Sequence, residues 1–168
     1  MNERTYSTID KTGWGDGPWQ HEPDKVQWVD SVTGMACLAR RHPRCGFWCG
    51  YVGVAAAHPW HGRDSDGDIE GLDVHDGISY AAACDVDAPE ATGICHVPEP
   101  GEPDGLWWFG FACAYYLDFP PGAATEARAH GWTDDHEDRP LRTYRTLDFV
   151  RDECARLAGQ LAHHDGTQ

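Results

Sequence analysis

Hydrophobic and polar residues alternate along much of the first two thirds of the chain, a pattern that predicts β-strands there. The alternation in residues 25–41 is interrupted at 31–34 by turn-forming residues and predicts a β-hairpin. Residues 47–55 and 74–84 predict two further strands. Gly50 and Gly53 weaken the first of these but permit a bulge or the close approach of another backbone.

The sequence LWWFGFACAYYLD at residues 106–118 predicts a central strand with two unlike faces. One face carries large side chains throughout and is predicted to face the core: Trp107, Phe109, Phe111, Cys113, Tyr115 and Leu117. The opposite face places Gly110, Ala112 and Ala114 between two larger groups, Trp108 and Tyr116. These small residues leave space above the backbone, which either the C-terminal helix or a ligand must fill.

One long amphipathic helix is predicted near the C-terminus. After Thr146, a favourable N-cap residue, apolar side chains recur at spacings of three and four. These side chains are Leu147, Val150, Cys154, Leu157 and Leu161. Strands followed by a single helix predict an α+β fold, with a mostly antiparallel sheet and the C-terminal helix packed across it.

The chain is predicted to form one domain preceded by an arm. Residues 1–23 are polar and are expected to be a partly ordered N-terminal arm that Trp14 and Trp19 anchor to the body. Residues 24–168 are predicted to form the single α+β domain. Two of its stretches, 85–104 and 119–140, are rich in proline and charge and are predicted to be long loops.

The charge and the cysteines limit the environment and the partners. A formal net charge of −15, with only 13 lysines and arginines, argues against direct nucleic-acid binding, which requires a basic surface. No apolar run is long enough for a membrane span, and the first residues do not resemble a secretory signal, so a cytoplasmic location is expected. The seven cysteines are accordingly expected to be thiols, mostly buried.

The candidate catalytic residues are His75, Asp118 and Cys113. A histidine beside a carboxylate can act as an oriented base, and Cys113, or Cys95 next to its neighbour His96, would supply a nucleophile. If the small-residue face of the aromatic strand instead lines a pocket, its predicted ligand-binding residues are Trp108, Gly110, Ala112, Tyr116, His75 and Asp76.

Two possible metal-binding patterns are incomplete. Cys45 and Cys49 have a spacing that zinc sites allow, but His58 and His61 beyond them match no standard second half of such a site. Residues 64–75 begin like a calcium-binding loop, yet isoleucine occupies the position that requires glycine. No metal site and no cofactor are therefore predicted.

The chain resembles a family of small uncharacterised proteins encoded in tailed phages, prophages and bacterial genomes. The matching segments, which cover most of the chain, are WGDGPWQHEPDKVQWVD, CGYVGVAAAHPWHG, VHDGISY, ICHVPEPGEPDGLWWFGFACAYYLD and YRTLDFVRDECARLAGQL. His75, Cys113 and Asp118 fit the pattern of the family. Ala112 and Tyr115 depart from it, because members usually carry aspartate and histidine there.

These observations lead us to expect a phage accessory protein that acts by binding in the cytoplasm of the host cell. It would dock on and modulate a host protein, for example to inhibit host defence, or sequester a small ligand such as a nucleotide signal in an aromatic pocket. The alternative is a small hydrolase or transferase that uses His75 with Asp118 and a cysteine. The sequence leaves open whether the protein is an enzyme, and which oligomer it forms.

Overall fold

An antiparallel β-sheet forms the centre of the computed structural model, which describes residues 2–65, 69, 71–131 and 141–165. Its strands are β1 (Arg4–Tyr6), β2 (Lys25–Val29), β3 (Ala36–Arg41), β4 (Trp48–Val54), β5 (Tyr80–Ala83) and β6 (Trp107–Ala112). They lie in the order β1-β2-β3-β4-β6-β5, and every neighbouring pair is antiparallel. The predicted hairpin is the pair β2 and β3.

Helix α2 (Leu147–Asp165) lies across one face of the sheet, over β4 and β3. Its apolar stripe is completely shielded from solvent and comprises Val150, Cys154, Leu157, Ala158 and Leu161. The stripe shares a core cluster with Phe109 and Phe111 of β6. At the start of the helix, the Phe149 amide donates a hydrogen bond of 3.3 Å to Thr146 Oγ1, as an N-cap requires. The predicted α+β fold with its packed C-terminal helix is confirmed.

The small-residue face of β6 is covered by a side chain from the neighbouring strand. A Cβ atom at Gly110 would lie 2.4 Å from Cδ1 of Tyr51, so the glycine makes room for this ring. Tyr51 packs edge-on against Tyr80 of β5, with ring centroids 5.4 Å apart. The other buried members of this cluster are Leu38, Ile94, Leu106 and Trp108. At Gly110 the space above the backbone is therefore filled by Tyr51, and neither the C-terminal helix nor a ligand cleft occupies it. Helix α2 packs against the opposite face, on Phe109 and Phe111.

The aromatic strand is shorter than predicted. β6 ends at Ala112, and the chain then forms a turn in which the Asp118 amide donates a hydrogen bond of 2.8 Å to the Tyr115 carbonyl. Leu117, expected on the core face, is 39% exposed. The strand predicted over 74–84 is likewise reduced to β5, because its first residues form a turn.

The loop predicted at 119–140 contains a helix in its described part, α1 (Ala123–His130). Its alanines favour the helix, and Gly131 ends it with a φ of 68°, a left-handed conformation that glycine adopts without strain. Residues 132–140 lie outside the described residues. Every residue of the other predicted loop, 85–104, is described, and this segment contains neither helix nor strand.

The N-terminal arm contacts the body of the domain along much of its length. β1 pairs with β2 at one edge of the sheet. The Trp19 side chain is buried and packs edge-on against Tyr144, with ring centroids 5.0 Å apart. The guanidinium of Arg41 lies 5.9 Å from the Trp14 ring centroid. Both tryptophans therefore contact the body.

A network of buried charges joins the arm to the sheet. Asp24 is 2% exposed and accepts hydrogen bonds of 2.8 Å from the amides of Thr8 and Ile9. Its other oxygen accepts from Lys11 Nζ at 2.8 Å and from Arg41 Nε at 3.2 Å. Burial alone would raise the pKa of Asp24, but the hydrogen bonds, that from Lys11 foremost, lower it below its usual value.

Two of the seven cysteines form a disulfide that the sequence analysis did not predict. Cys84 is bonded to Cys95, and their Cα atoms lie 4.8 Å apart. The free thiols are Cys37, Cys45, Cys49, Cys113 and Cys154. The expectation of seven thiols was wrong for this pair, because the path of the loop rather than sequence spacing brings the two sulfurs together. Cys95 is consequently not available as a free nucleophile.

Lys25 is fully buried in β2, where its ammonium group donates hydrogen bonds to the carbonyls of Glu90 and Cys95. Burial lowers the pKa of Lys25 from 10.5 to about 8, while the charge of Glu90 opposes this shift and that of Arg40 adds to it. Between these two values the unfolded chain binds more protons than the folded one. The contribution of Lys25 to the free energy of unfolding therefore rises with pH over this range.

The predicted rise of stability with pH can be measured with the variant Lys25→Met. We expect the wild-type protein to gain stability relative to the variant as the pH rises from about 7.5 to 10, by up to about 1.4 kcal/mol per pH unit for one full proton. Urea denaturation at several pH values measures the difference. Arg128→Met, at an exposed position of α1, is the control whose difference from wild type should stay constant. A difference for Lys25→Met that does not change with pH would contradict the assignment.

Candidate functional site

Several predicted site residues meet where β6 leaves the sheet. His75 Nε2 lies 2.6 Å from Asp118 Oδ2, and the Tyr115 amide donates to the same oxygen over 3.0 Å. Arg145 Nε donates to Asp118 Oδ1 over 2.9 Å. The Asp118 side chain is 1% exposed, so three donors satisfy a carboxylate that water does not reach.

The turn that carries His75 is fixed by helix α2. The His75 amide donates to Glu153 Oε2 over 2.8 Å, and its ring packs edge-on against Phe149 with centroids 5.2 Å apart. Asp76 follows with a φ of 57°, in the left-handed region that aspartate tolerates better than most residues. The carboxylate that orients His75 is therefore Asp118, which is distant in sequence, and not the neighbouring Asp76.

This pairing defines what His75 can do chemically. When Nε2 donates to a carboxylate, the neutral ring is held in one tautomer, and Nδ1 is left as the acceptor. The His75 side chain is 15% exposed, so the ring lies at the edge of the solvent-accessible surface. It can accept a hydrogen bond or a proton from a molecule bound there.

Cys113 lies beside this cluster but is poorly suited to nucleophilic attack. Its side chain is buried, and burial, followed by the negative charge of Asp118, raises the pKa of the thiol above its usual value. The thiolate is the attacking form of cysteine, and it is disfavoured under these conditions. Cys113 is therefore a wall residue of the site and a weak candidate for a reactive group.

A cavity of about 260 Å³ adjoins the cluster. Its wall is formed by Cys45, Phe47, Cys113, Ala114, Tyr115, Tyr116, Asp118, Pro120 and Arg142. Tyr115 is 40% exposed and Tyr116 is 67% exposed, and their ring centroids lie 4.4 Å apart. Two large aromatic side chains thus stand in solvent next to a concave surface.

Three of the predicted ligand-binding residues lie outside this site. Trp108 is completely buried, and Gly110 lies beneath Tyr51 on the second face of the sheet. Ala112 is half-buried at the end of β6, opposite Cys49. The structure therefore brings together His75, Asp118, Cys113 and Tyr116, but places Trp108 and Gly110 in the protein interior.

Sequence reasoning missed Arg145 and Glu153. Glu153 is a buried carboxylate directly before Cys154 of the apolar stripe, and a charge at that position of the helix could have indicated a buried partner. Arg145 precedes the N-cap, and nothing in the sequence pattern there indicates that it reaches Asp118. Its role depends on the pairing of the segment before α2 with the chain after β6, where the Thr143 amide donates to the Leu117 carbonyl over 2.7 Å.

The histidines considered as metal ligands make other contacts. His58 Nε2 lies 2.9 Å from the Leu161 carbonyl oxygen, and His58 Nδ1 accepts from the Trp60 amide over 3.0 Å. His61 Nε2 lies 3.1 Å from the carbonyl oxygen of Gly105. In the part of the chain that the structure describes, no three His, Cys, Asp or Glu side chains are grouped in a way that could hold a metal ion.

Comparisons of the chain with protein family models, with curated proteins and with solved structures give no match. The function of the site must therefore be argued from its own geometry. Within the described ranges, no helix has the length and apolar character needed to cross a membrane.

Proposed function

We propose that this protein acts by binding a partner protein through the exposed surface of Tyr115, Tyr116 and Leu117, here called the tyrosine surface. In line with the phage-encoded family that the sequence resembles, the proposed partner is a host protein whose activity is modulated by docking. The observation that supports this proposal is the exposure of two tyrosines on a turn whose backbone is hydrogen-bonded to a buried carboxylate.

The composition of the tyrosine surface is typical of an interface centre. Tyrosine is enriched among the residues that dominate binding energy, because it combines a large apolar area with few rotatable bonds. Leu117 adds a third apolar side chain that is 39% exposed. Leaving three such groups in water is unfavourable, and covering them on binding would recover about 25 cal/mol for each Å² of apolar area buried.

The turn beneath the tyrosines is already ordered. Asp118 accepts from the Tyr115 amide, and it is itself fixed by His75 and Arg145. The Phe119 amide donates to the Thr143 carbonyl over 2.8 Å and holds the following residues. Because the backbone is fixed before binding, less conformational entropy is lost when a partner docks. In this proposal His75 positions the surface and does not act as a catalyst.

The site also indicates the chemistry of the partner. The cavity of about 260 Å³ beside the two rings can accept one apolar anchor side chain, with the partner backbone passing over Tyr116. The formal charge of −15 attracts a partner with a basic surface and increases the rate of encounter at low salt. The proposed partner is accordingly a protein with an apolar anchor residue surrounded by basic residues.

Substitution of both tyrosines by serine tests this proposal. Wild-type protein, Tyr115→Ser/Tyr116→Ser and the control Val32→Ser/Val86→Ser are each used to recover partners from one host lysate, and binding to the recovered partner is then measured with purified components. The control removes two valines that are more than 80% exposed elsewhere on the surface. We expect the tyrosine variant to bind at least tenfold more weakly than wild type, and the control to bind like wild type.

Equal binding by all three proteins would contradict the tyrosine surface as the interface.

The hydrolase alternative is favoured by one observation, the 2.6 Å contact between His75 and Asp118. It makes a different prediction for His75→Ala. If this variant kept its fold and its partner affinity but lost the biological effect, the binding proposal would be wrong and the catalytic one supported.

A further inference from the structure

A second cavity, of about 350 Å³, lies at the other end of the sheet from the tyrosine surface. Its wall is formed where the turn between β2 and β3, the end of β4 and the residue before β6 come together. Most of the wall is apolar and includes Met35, Val54 and Leu106. The volume lies within the range of small-molecule sites, about 300–1,000 Å³. This space is called the sheet-end cavity below.

His96, in the wall of the sheet-end cavity, has an unmet hydrogen-bonding atom. The residue is 5% exposed, its ring packs edge-on against Trp108 at 5.5 Å, and its Nδ1 has no partner among the described residues. His58 lies in the same wall but has both ring nitrogens hydrogen-bonded. Buried polar atoms without partners are uncommon in folded proteins, and each one costs free energy. Of the two histidines in this wall, only His96 therefore has a ring nitrogen without a hydrogen-bond partner.

The surroundings of His96 define which partner Nδ1 can take. The backbone of Pro103 interacts with the ring and, having no N–H, can only accept, so with Nδ1 unpaired the proton of the neutral ring is assigned to Nε2. Burial lowers the pKa of His96, against the opposing charges of Asp104 and Glu102 and in the same direction as the charge of Lys25. The ring is therefore neutral near pH 7, and Nδ1 carries a lone pair that requires a hydrogen-bond donor.

The charged and apolar residues that line the cavity also restrict which ligands fit it. Glu102 and Asp165 both contribute to its wall, and their carboxylates disfavour an anionic ligand. The remaining lining is apolar or uncharged, which favours a compact hydrophobic body. His96 lies in the wall, but Nδ1 itself is shielded from the cavity, so a ligand there reaches Nδ1 only when the ring turns toward it.

We infer that the sheet-end cavity binds a small uncharged molecule with an apolar, aromatic-sized body and a hydroxyl or N–H group that donates to His96 Nδ1. Phenols and indoles are ligands of this class. The site shares no residue with the tyrosine surface, so this inference does not depend on the proposed partner protein.

The test uses a pair of probes that differ only in the donor. Binding of p-cresol and of toluene to the full-length protein is measured by ligand-detected NMR titration, with benzoate as the anionic probe. We expect p-cresol to bind with a dissociation constant below about 1 mM, and toluene to bind at least tenfold more weakly because it leaves Nδ1 without a donor. Benzoate should not bind in this range.

Two variants locate the binding. His96→Phe keeps a ring of similar size without the acceptor, and it should bind the two uncharged probes equally. Ala57→Trp fills the mouth of the cavity and should abolish binding of both, whereas Val86→Trp adds the same side chain at a remote exposed position and should not. Equal binding of p-cresol and toluene to wild type, binding of neither, or unchanged binding by Ala57→Trp would overturn the inference. The wild-type probe comparison remains decisive if His96→Phe does not fold.

Discussion

Replacing Asp24 by alanine is expected to destabilise the folded protein by about 3–5 kcal/mol, which is a large part of the 5–15 kcal/mol typical of a domain. The reason is that the positive charges of Arg41 and Lys11 remain when the carboxylate is removed. The Arg41 side chain is completely buried, and Asp24 Oδ1 is 3.2 Å from its Nε. Removing the carboxylate leaves the Lys11 ammonium without a carboxylate and the buried Arg41 guanidinium with Glu22, whose Oε1 lies 3.6 Å from Nη2. It also deprives two backbone amides of an acceptor.

Urea denaturation at pH 7 measures this loss, and Asp16→Ala is a matched control that removes the same charge at an exposed position. The difference between wild type and Asp24→Ala should shrink in acid. Because the pKa of Asp24 is lowered in the folded state, its contribution is present above about pH 4 and is lost as the pH falls through the folded value. A change below about 1 kcal/mol at pH 7 would show that Arg41 is not dependent on this carboxylate.

Asp118→Ala is expected to give the second largest effect and to act on both stability and binding. Three donors lose their acceptor: His75 Nε2, the Tyr115 amide and Arg145 Nε. Hydrogen bonds to charged groups are worth about 1.5–3 kcal/mol each, but the Arg145 side chain is 28% exposed and can recover hydration. We therefore expect a loss of about 2–4 kcal/mol in the free energy of unfolding.

The same substitution should weaken partner binding at least tenfold at temperatures where the variant remains folded, because the turn beneath Tyr115 and Tyr116 is no longer fixed. Asp118→Asn should not restore the site. One oxygen of Asp118 accepts two hydrogen bonds and the other accepts one, so an amide nitrogen on either side faces a donor. The exposed Asp152 of α2 provides the charge-matched control, Asp152→Ala.

An Asp118→Ala protein with wild-type stability would show that the three hydrogen bonds are replaced by water. An Asp118→Ala protein that is destabilised but binds its partner normally would separate the two roles. In that case the tyrosine surface would not depend on the fixed turn, and the preorganisation argument would be wrong.

The limits of sequence-based prediction are clear at β6. Alternation identified Phe109 and Phe111 as core residues, because the period of two fixes which side chains share a face. It could not identify what covers the opposite face. The ring of Tyr51 fills the space above Gly110, and its position depends on the register of β4 against β6, in which Tyr51 lies directly opposite Gly110.

The candidate site was likewise only partly predictable from the sequence. His75 and Asp118 were identified as chemically suitable residues, but their contact spans 43 positions in the sequence and depends on two turns that approach each other in the fold. Arg145 joins them only because the segment before α2 pairs with the chain after Asp118. The disulfide between Cys84 and Cys95 likewise depends on the path of a loop without regular structure, which has no periodic signal.

Local patterns in the sequence thus determined the hairpin, the core face of β6 and the amphipathic stripe of α2, because each depends on neighbours two to four positions apart. The tertiary structure alone decided which side chain covers Gly110, which carboxylate holds His75 and which cavities remain. These features arise from contacts between segments that are remote in sequence, where register and loop path decide the distance between two atoms.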